Sequence, residues 1–140
     1  MTTATAASQK TSVKIVVLAS RILLGLLFIV FGLNGFLHFI PQPTPPPGLA
    51  RDYFVTLISS NYLALPFALQ VIAGALLLLN RYVPLALALL APVIVNILMF
   101  HVLMLPAGLP PGLLATLFWF VVAYNVRSSF AGIFAARGAA

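Results

Sequence analysis

The stretch from Ile15 to Ile40 carries a single charge, at Arg21, and is apolar almost throughout. A helix of that length crosses the roughly 30 Å of bilayer hydrocarbon. It is too long for the apolar region of a signal peptide, about 7–15 residues. It also runs into Pro41 rather than into a small-residue cleavage site. The stretch therefore reads as a retained first membrane span. Composition extends that reading to the whole chain. Hydrophobic residues make up 63% and charged residues 6%, whereas a soluble domain carries roughly a quarter charged residues. Asp52 is the one acid.

Along the chain, residues 1–12 are rich in Thr, Ala and Ser and are predicted to form a disordered tail. Residues 13–127 are the membrane domain, and residues 128–140 form a C-terminal tail. After the first span, Pro41-Gln42-Pro43-Thr44-Pro45-Pro46-Pro47-Gly48 cannot continue a helix and favours a stiff polyproline path. From Leu49 to Ser60 the apolar residues Leu49, Tyr53, Phe54, Leu57 and Ile58 recur at helical spacing, with Arg51, Asp52, Thr56 and Ser59 on other faces. Such a short amphipathic helix suits the interface. Span two runs from Leu63 to Leu79, closed by Asn80-Arg81-Tyr82. Span three runs from Pro84 to Leu105. Span four follows Pro110-Pro111-Gly112, reaches Val126 and is the shortest. The expected fold is all-α: an integral membrane bundle of four up-and-down transmembrane helices, with a short amphipathic interfacial helix between spans one and two.

The formal net charge is +6, but the bases stand singly and form no patch of the kind that binds nucleic acid. They sort instead by topology. With the N-terminus in the cytoplasm, Lys10, Lys14, Arg21, Arg81, Arg127 and Arg137 all fall on the inner side, and only Arg51, beside Asp52, falls outside. Basic residues are retained on the cytoplasmic side, so both termini are predicted to be cytoplasmic, in a multi-pass protein of the bacterial inner membrane. Cysteine is absent, which excludes disulfides, thiol catalysis and iron–sulfur ligation by this chain.

Polar side chains within the spans carry the functional information, because each needs a partner in hydrocarbon. Asn34 and His38 are four apart in span one and share a face, with Gly32 and Gly35 beside them. Span two contributes Gln70 with Gly74, span three Asn96 and His101, and span four Thr116 and a mid-span Trp119. On this topology both histidines lie within roughly 5–8 Å of the outer end. That depth predicts an outward-facing pocket beneath the proline loop and the amphipathic segment. The competing reading is interhelical glue, worth about 0.6–2 kcal/mol per group. Asn96 and His101 are separated by about 140° around their helix and do not both face one seam. One acid makes no catalytic carboxylate pair, no cluster has metal-site spacing, and no glycine-rich phosphate loop is present.

The residues from Arg21 through Gly32, Asn34 and His38, then Gln70 through Gly74 to Arg81, then Pro92, Asn96 and His101, resemble the DoxX family of bacterial membrane proteins. The likeness covers Ser20 to Arg127. It implies a four-helix inner-membrane protein associated with redox chemistry. Relatives look like small subunits of thiosulfate:quinone oxidoreductase or partners of soluble redox enzymes. Without cysteine, any sulfur-handling thiol must come from a partner or a substrate.

The leading expectation is thus a membrane subunit of a quinone-linked redox complex. Asn34, His38 and His101 would donate to a quinone-like molecule, with Asn96 at the site and Trp119 or Phe36 forming the ring slot. Haem ligation by the histidines is a weaker alternative. An anchor or assembly module for a partner protein, or for further copies of the chain, is the alternative from a different class. A transporter would need room for alternating access that four spans do not provide without oligomerisation.

Overall fold

The computed structural model describes residues 2–134, and every regular element among them is helical. Helix α1 spans Thr2–Leu37, α2 Leu49–Ser59, α3 Ala64–Leu78, α4 Val83–Leu103 and α5 Leu109–Asn125. A single 3-10 turn, Pro106–Gly108, joins α4 to α5, and a 3-10 segment, Arg127–Phe134, follows α5. The tail expected over residues 1–12 is part of α1 from Thr2 onward. Ala4, Ala6, Ala7, Gln9 and Lys10 are strong helix formers, and they extend a helix already nucleated by the apolar run. Of the expected C-terminal tail, residues 128–134 continue the 3-10 segment, and residues 135–140, with Arg137, lie outside the described residues.

Helices α1, α3, α4 and α5 close a ring in that order, with α1 and α4 on one diagonal. Neighbours run antiparallel. The end of α1 meets the start of α3 at Gly35 and Phe67, and its earlier part meets the end of α3 at Gly25 and Leu78. At the centre, Leu24 and Phe28 of α1, Leu77 of α3, Leu87 and Leu90 of α4 and Val122 of α5 are sealed from the surroundings. Away from that centre, large apolar side chains point outward along every helix: Leu23, Phe31, Ile72, Leu85, Leu117 and Phe120 are all exposed. In water such a surface would aggregate, and in lipid it is the expected exterior.

Three helical stretches are long and apolar enough to cross a membrane: Lys10–Leu37, Val83–Leu103 and Pro106–Asn125. The last gains its length from the 3-10 turn ahead of α5. Helix α3, expected as a full span, has 15 residues, about 22 Å at 1.5 Å per residue and short of the hydrocarbon thickness. It forms a broken pair with α2, whose axis turns away from it by 82°. Counting that pair as one span gives four.

The α1–α3 seam is the tightest in the molecule. A Cβ placed on Gly74 would lie 2.8 Å from the Gly25 carbonyl and 2.7 Å from Ile29. One placed on Gly32 would lie 2.9 Å from the Cβ of Gln70 and 3.0 Å from the Phe67 carbonyl. Small residues let the backbones approach this closely, and packing of this kind drives helix association in membranes. Gln70 is buried in this seam.

Candidate functional site

The first span stops three residues earlier than its apolar pattern suggests, and Asn34 and His38 are the reason. Helix α1 ends at Leu37, and His38 adopts a left-handed conformation, φ 53°. The His38 backbone N–H donates to the Asn34 carbonyl at 2.9 Å. That is a single-bond helix cap closed by a left-handed residue. The buried Asn34 side chain completes it. Its Oδ1 accepts from the Ile40 N–H at 2.6 Å, and its Nδ2 donates to the Ile40 carbonyl at 3.2 Å. The carboxamide thus plays the part of a peptide group and satisfies backbone that has left the helix. The His38 side chain is exposed. The pair expected to line a pocket instead terminates the helix and aims the chain into Pro41.

His101 belongs to a second such closure. A carbonyl can only accept, so the 3.0 Å contact between His101 Nδ1 and the Leu105 oxygen makes Nδ1 the protonated nitrogen. The ring meets Phe100 edge to face at 5.1 Å. It also covers Gly108, where a Cβ would fall 2.0 Å from its Cε1. His101 therefore packs the α4–α5 turn. It sits on α4, diagonal to α1, and its ring packs against Phe100 and Gly108, whereas the His38 side chain on the far helix is exposed.

Trp119 was expected as the wall of a ring slot. Its indole Nε1 donates to the Leu87 carbonyl of α4 at 2.9 Å, and its ring meets Phe120 edge to face. The bond lies at the weak point of α4. Pro92 has no N–H, leaves the Ala88 carbonyl without its helical donor and crowds it. Trp119 supplies a donor to the adjacent carbonyl. Thr116 bonds back to the Gly112 carbonyl within its own helix at 2.7 Å. The exposed Phe36 meets Phe67 edge to face.

Arg21, the single charge of the first span, donates from Nη1 to the Leu77 carbonyl in the last turn of α3. A cation at a helix C-terminus is favourable because carbonyl charge accumulates there. The same end is closed by an αL residue at Asn80, φ 53°, with the Arg81 N–H donating to the Leu76 carbonyl at 3.0 Å. The sequence signal for this role was available: Arg21 is a lone base inside an apolar run, and Asn80 follows a second one.

Asn96 differs from the rest. It is exposed on the outer surface of α4, next to Met99, and no hydrogen bond joins its carboxamide to another described residue. Helix α2 folds across the end of α4 and stacks Tyr53 on Phe100 at 5.8 Å. Asn96, Tyr53, Met99 and Leu103 line the crevice left between them, about 100 Å³. Small-molecule sites run to about 300–1,000 Å³. Of the five expected site residues, Asn34 and His38 share the stop of α1, His101 packs the α4–α5 turn, Trp119 bridges α5 to α4, and Asn96 lines a crevice. Among the described residues, no three potential metal ligands come together. No family model, curated protein or solved structure matches the chain.

Proposed function

We propose that the chain is a membrane anchor and assembly subunit, and that it holds its partner through the outer face of α4 around Asn96. The observation that carries this reading is the state of the Asn96 carboxamide: mid-helix, outward-facing and without a partner among the described residues. A polar group in hydrocarbon without a hydrogen bond is costly. Asn on a membrane helix gains about 0.6–2 kcal/mol by bonding across to another helix. The neighbouring Pro92 and Ala88 are small and also exposed, so a second backbone can come close. The occupant is therefore a transmembrane helix that presents an amide or a hydroxyl.

The orientation belongs to the same proposal. Lys10, Lys14, Arg21, Arg81 and Arg127 gather at the end of the ring where α1 and α4 begin and α3 and α5 finish, while Arg51 and Asp52 lie at the other. The positive-inside tendency makes the basic end cytoplasmic, with four crossings of a bacterial inner membrane. The quinone-linked redox subunit that the DoxX resemblance implies would need a slot at Asn34 and His38; the Asn34 carboxamide is engaged by Ile40, and the His38 side chain is exposed.

Purification in mild detergent tests the proposal, with the wild type compared with Asn96→Leu. The expected result is an associated membrane helix, captured by a photo-crosslinker at Met99 and lost in the variant, with an unchanged melting temperature. Stoichiometric quinone or haem that disappears in His38→Leu would overturn this reading in favour of the redox subunit.

A further inference from the structure

At the basic end of the ring, α1 and α5 diverge and leave a groove of about 690 Å³ open to the surroundings. Its deeper wall is apolar, built from Val13, Val16 and Val17 of α1 against Phe120 and Val121 of α5. Its rim is polar and carries Ser12, Asn125 and Arg127. The Arg127 guanidinium is held in place from one side. It donates to the Tyr124 carbonyl at 2.8 Å and lies 4.3 Å from the centre of the Tyr124 ring. Arginine has five N–H donors in a planar fork, so one bond to a carbonyl leaves several for a second acceptor. We propose that this groove binds an anionic phospholipid of the adjoining leaflet, with the phosphate on Arg127 and an acyl chain along the valine wall.

Charge selects the occupant. Lys10 and Lys14 stand on the same end of α1, and the one acid in the sequence, Asp52, lies on α2 at the opposite end. Among the described residues, no carboxylate side chain near the rim therefore competes for the guanidinium. Arg pairs with phosphate through two parallel bonds, which a lone ammonium cannot do. The two-zone lining matches a phospholipid in the same order, with the headgroup zone at the bundle end and the hydrocarbon zone below it. Position supports the depth: α5 ends at Asn125, so Arg127 stands just beyond the apolar helix, where basic side chains meet headgroups.

Native mass spectrometry of the purified full chain tests this, with phosphatidylglycerol and phosphatidylcholine supplied as equal competitors in mixed micelles. The expected result is retention of one phosphatidylglycerol in preference to phosphatidylcholine, weakened about tenfold by Arg127→Gln, or about 1.4 kcal/mol. Arg127→Lys should fall between the two. Val16→Trp, which fills the wall without touching the charge, should also reduce retention. Arg81→Gln, a base of the same end outside the groove, should not. Millimolar inorganic phosphate should fail to displace the lipid, because it lacks the acyl chain. Equal retention of both lipids, retention unchanged in both Arg127→Gln and Val16→Trp, displacement by phosphate, or a second copy of the chain in the groove would each overturn the proposal.

Discussion

Asn34 holds both backbone polar groups of Ile40 with its one carboxamide, accepting from the N–H and donating to the carbonyl. The pairing bridges the end of α1 and the start of the proline segment, where no regular ladder is available. Leucine at position 34 would leave the Ile40 N–H and carbonyl unpaired beside apolar neighbours. Each net bond is worth about 1 kcal/mol, and a stranded buried group costs about 1–3 kcal/mol. Asn34→Leu should therefore lower stability in detergent by about 2–4 kcal/mol, read as a fall in melting temperature. A variant that melts with the wild type would show that the Ile40 contacts contribute nothing.

His38 makes a sharper distinction between closure and ligand binding. A non-glycine residue in the left-handed region is strained by about 1–2 kcal/mol, and glycine is not. His38→Gly should be neutral or more stable by up to about 1 kcal/mol, and His38→Val should be less stable, because β-branching suits that region least. A ligand-binding histidine predicts a different pattern, since both variants would lose the same imidazole. Thermal melts of the two proteins decide between the patterns, and equal losses would refute the capping role.

The α1–α3 seam predicts an order of severity. A methyl group at position 74 meets the Gly25 carbonyl and the Ile29 backbone, neither of which can move unless the helices separate. Gly74→Ala should cost about 1–3 kcal/mol, the usual cost of overpacking, and Gly74→Leu more. Gln70→Leu keeps a side chain of similar size and removes a carboxamide that makes no hydrogen bond to another described residue, so it should cost less than Gly74→Ala. Thermal melts of the three variants, if they placed Gln70→Leu as the worst, would contradict this account of the seam.

The same residues show what the sequence discloses and what it withholds. Helix placement was legible because apolar length is a one-dimensional signal: α2 lies within the expected Leu49 to Ser60, and α4 within a residue or two of Pro84 to Leu105. The Gln70–Gly74 contact with α1 was legible for the same reason, as small and polar residues on one face mark a seam. The roles of Asn34 and His38 were not. Their i, i+4 spacing fits a shared binding face and a C-terminal closure equally well, and the backbone dihedral of His38 and the partner of Asn34 decide between them. The stop itself carried a weaker cue, since the residue before a proline disfavours helix, and Ile40 precedes Pro41. His38 and His101 have a similar depth by residue count, but they stand on different helices, α1 and α4. Depth follows from counting residues, whereas the side depends on the order in which helices pack. The shortness of α3 was hidden because Leu79 and Leu63 are apolar yet lie in its closing turns.

Arg21 yields the last prediction. Its guanidinium reaches the Leu77 carbonyl across the α1–α3 seam and joins two helices, which a side chain extended toward the headgroups would not do. The Leu77 carbonyl already accepts from the Asn80 N–H at 3.2 Å, and Arg21 adds a cationic donor at the negative end of the α3 dipole. Arg21→Met keeps the packing of the stem and removes the donors, so it should destabilise the protein by about 1–2 kcal/mol. The effect should be local: backbone amides at the end of α3, Leu76 to Asn80, should exchange with solvent deuterium faster, while those of α5 remain protected. Arg21→Lys should retain part of the protection through its ammonium. If Arg21→Met leaves exchange at Leu76 to Asn80 unchanged, the guanidinium is not the cap of α3, and a side chain turned toward the headgroups accounts for Arg21.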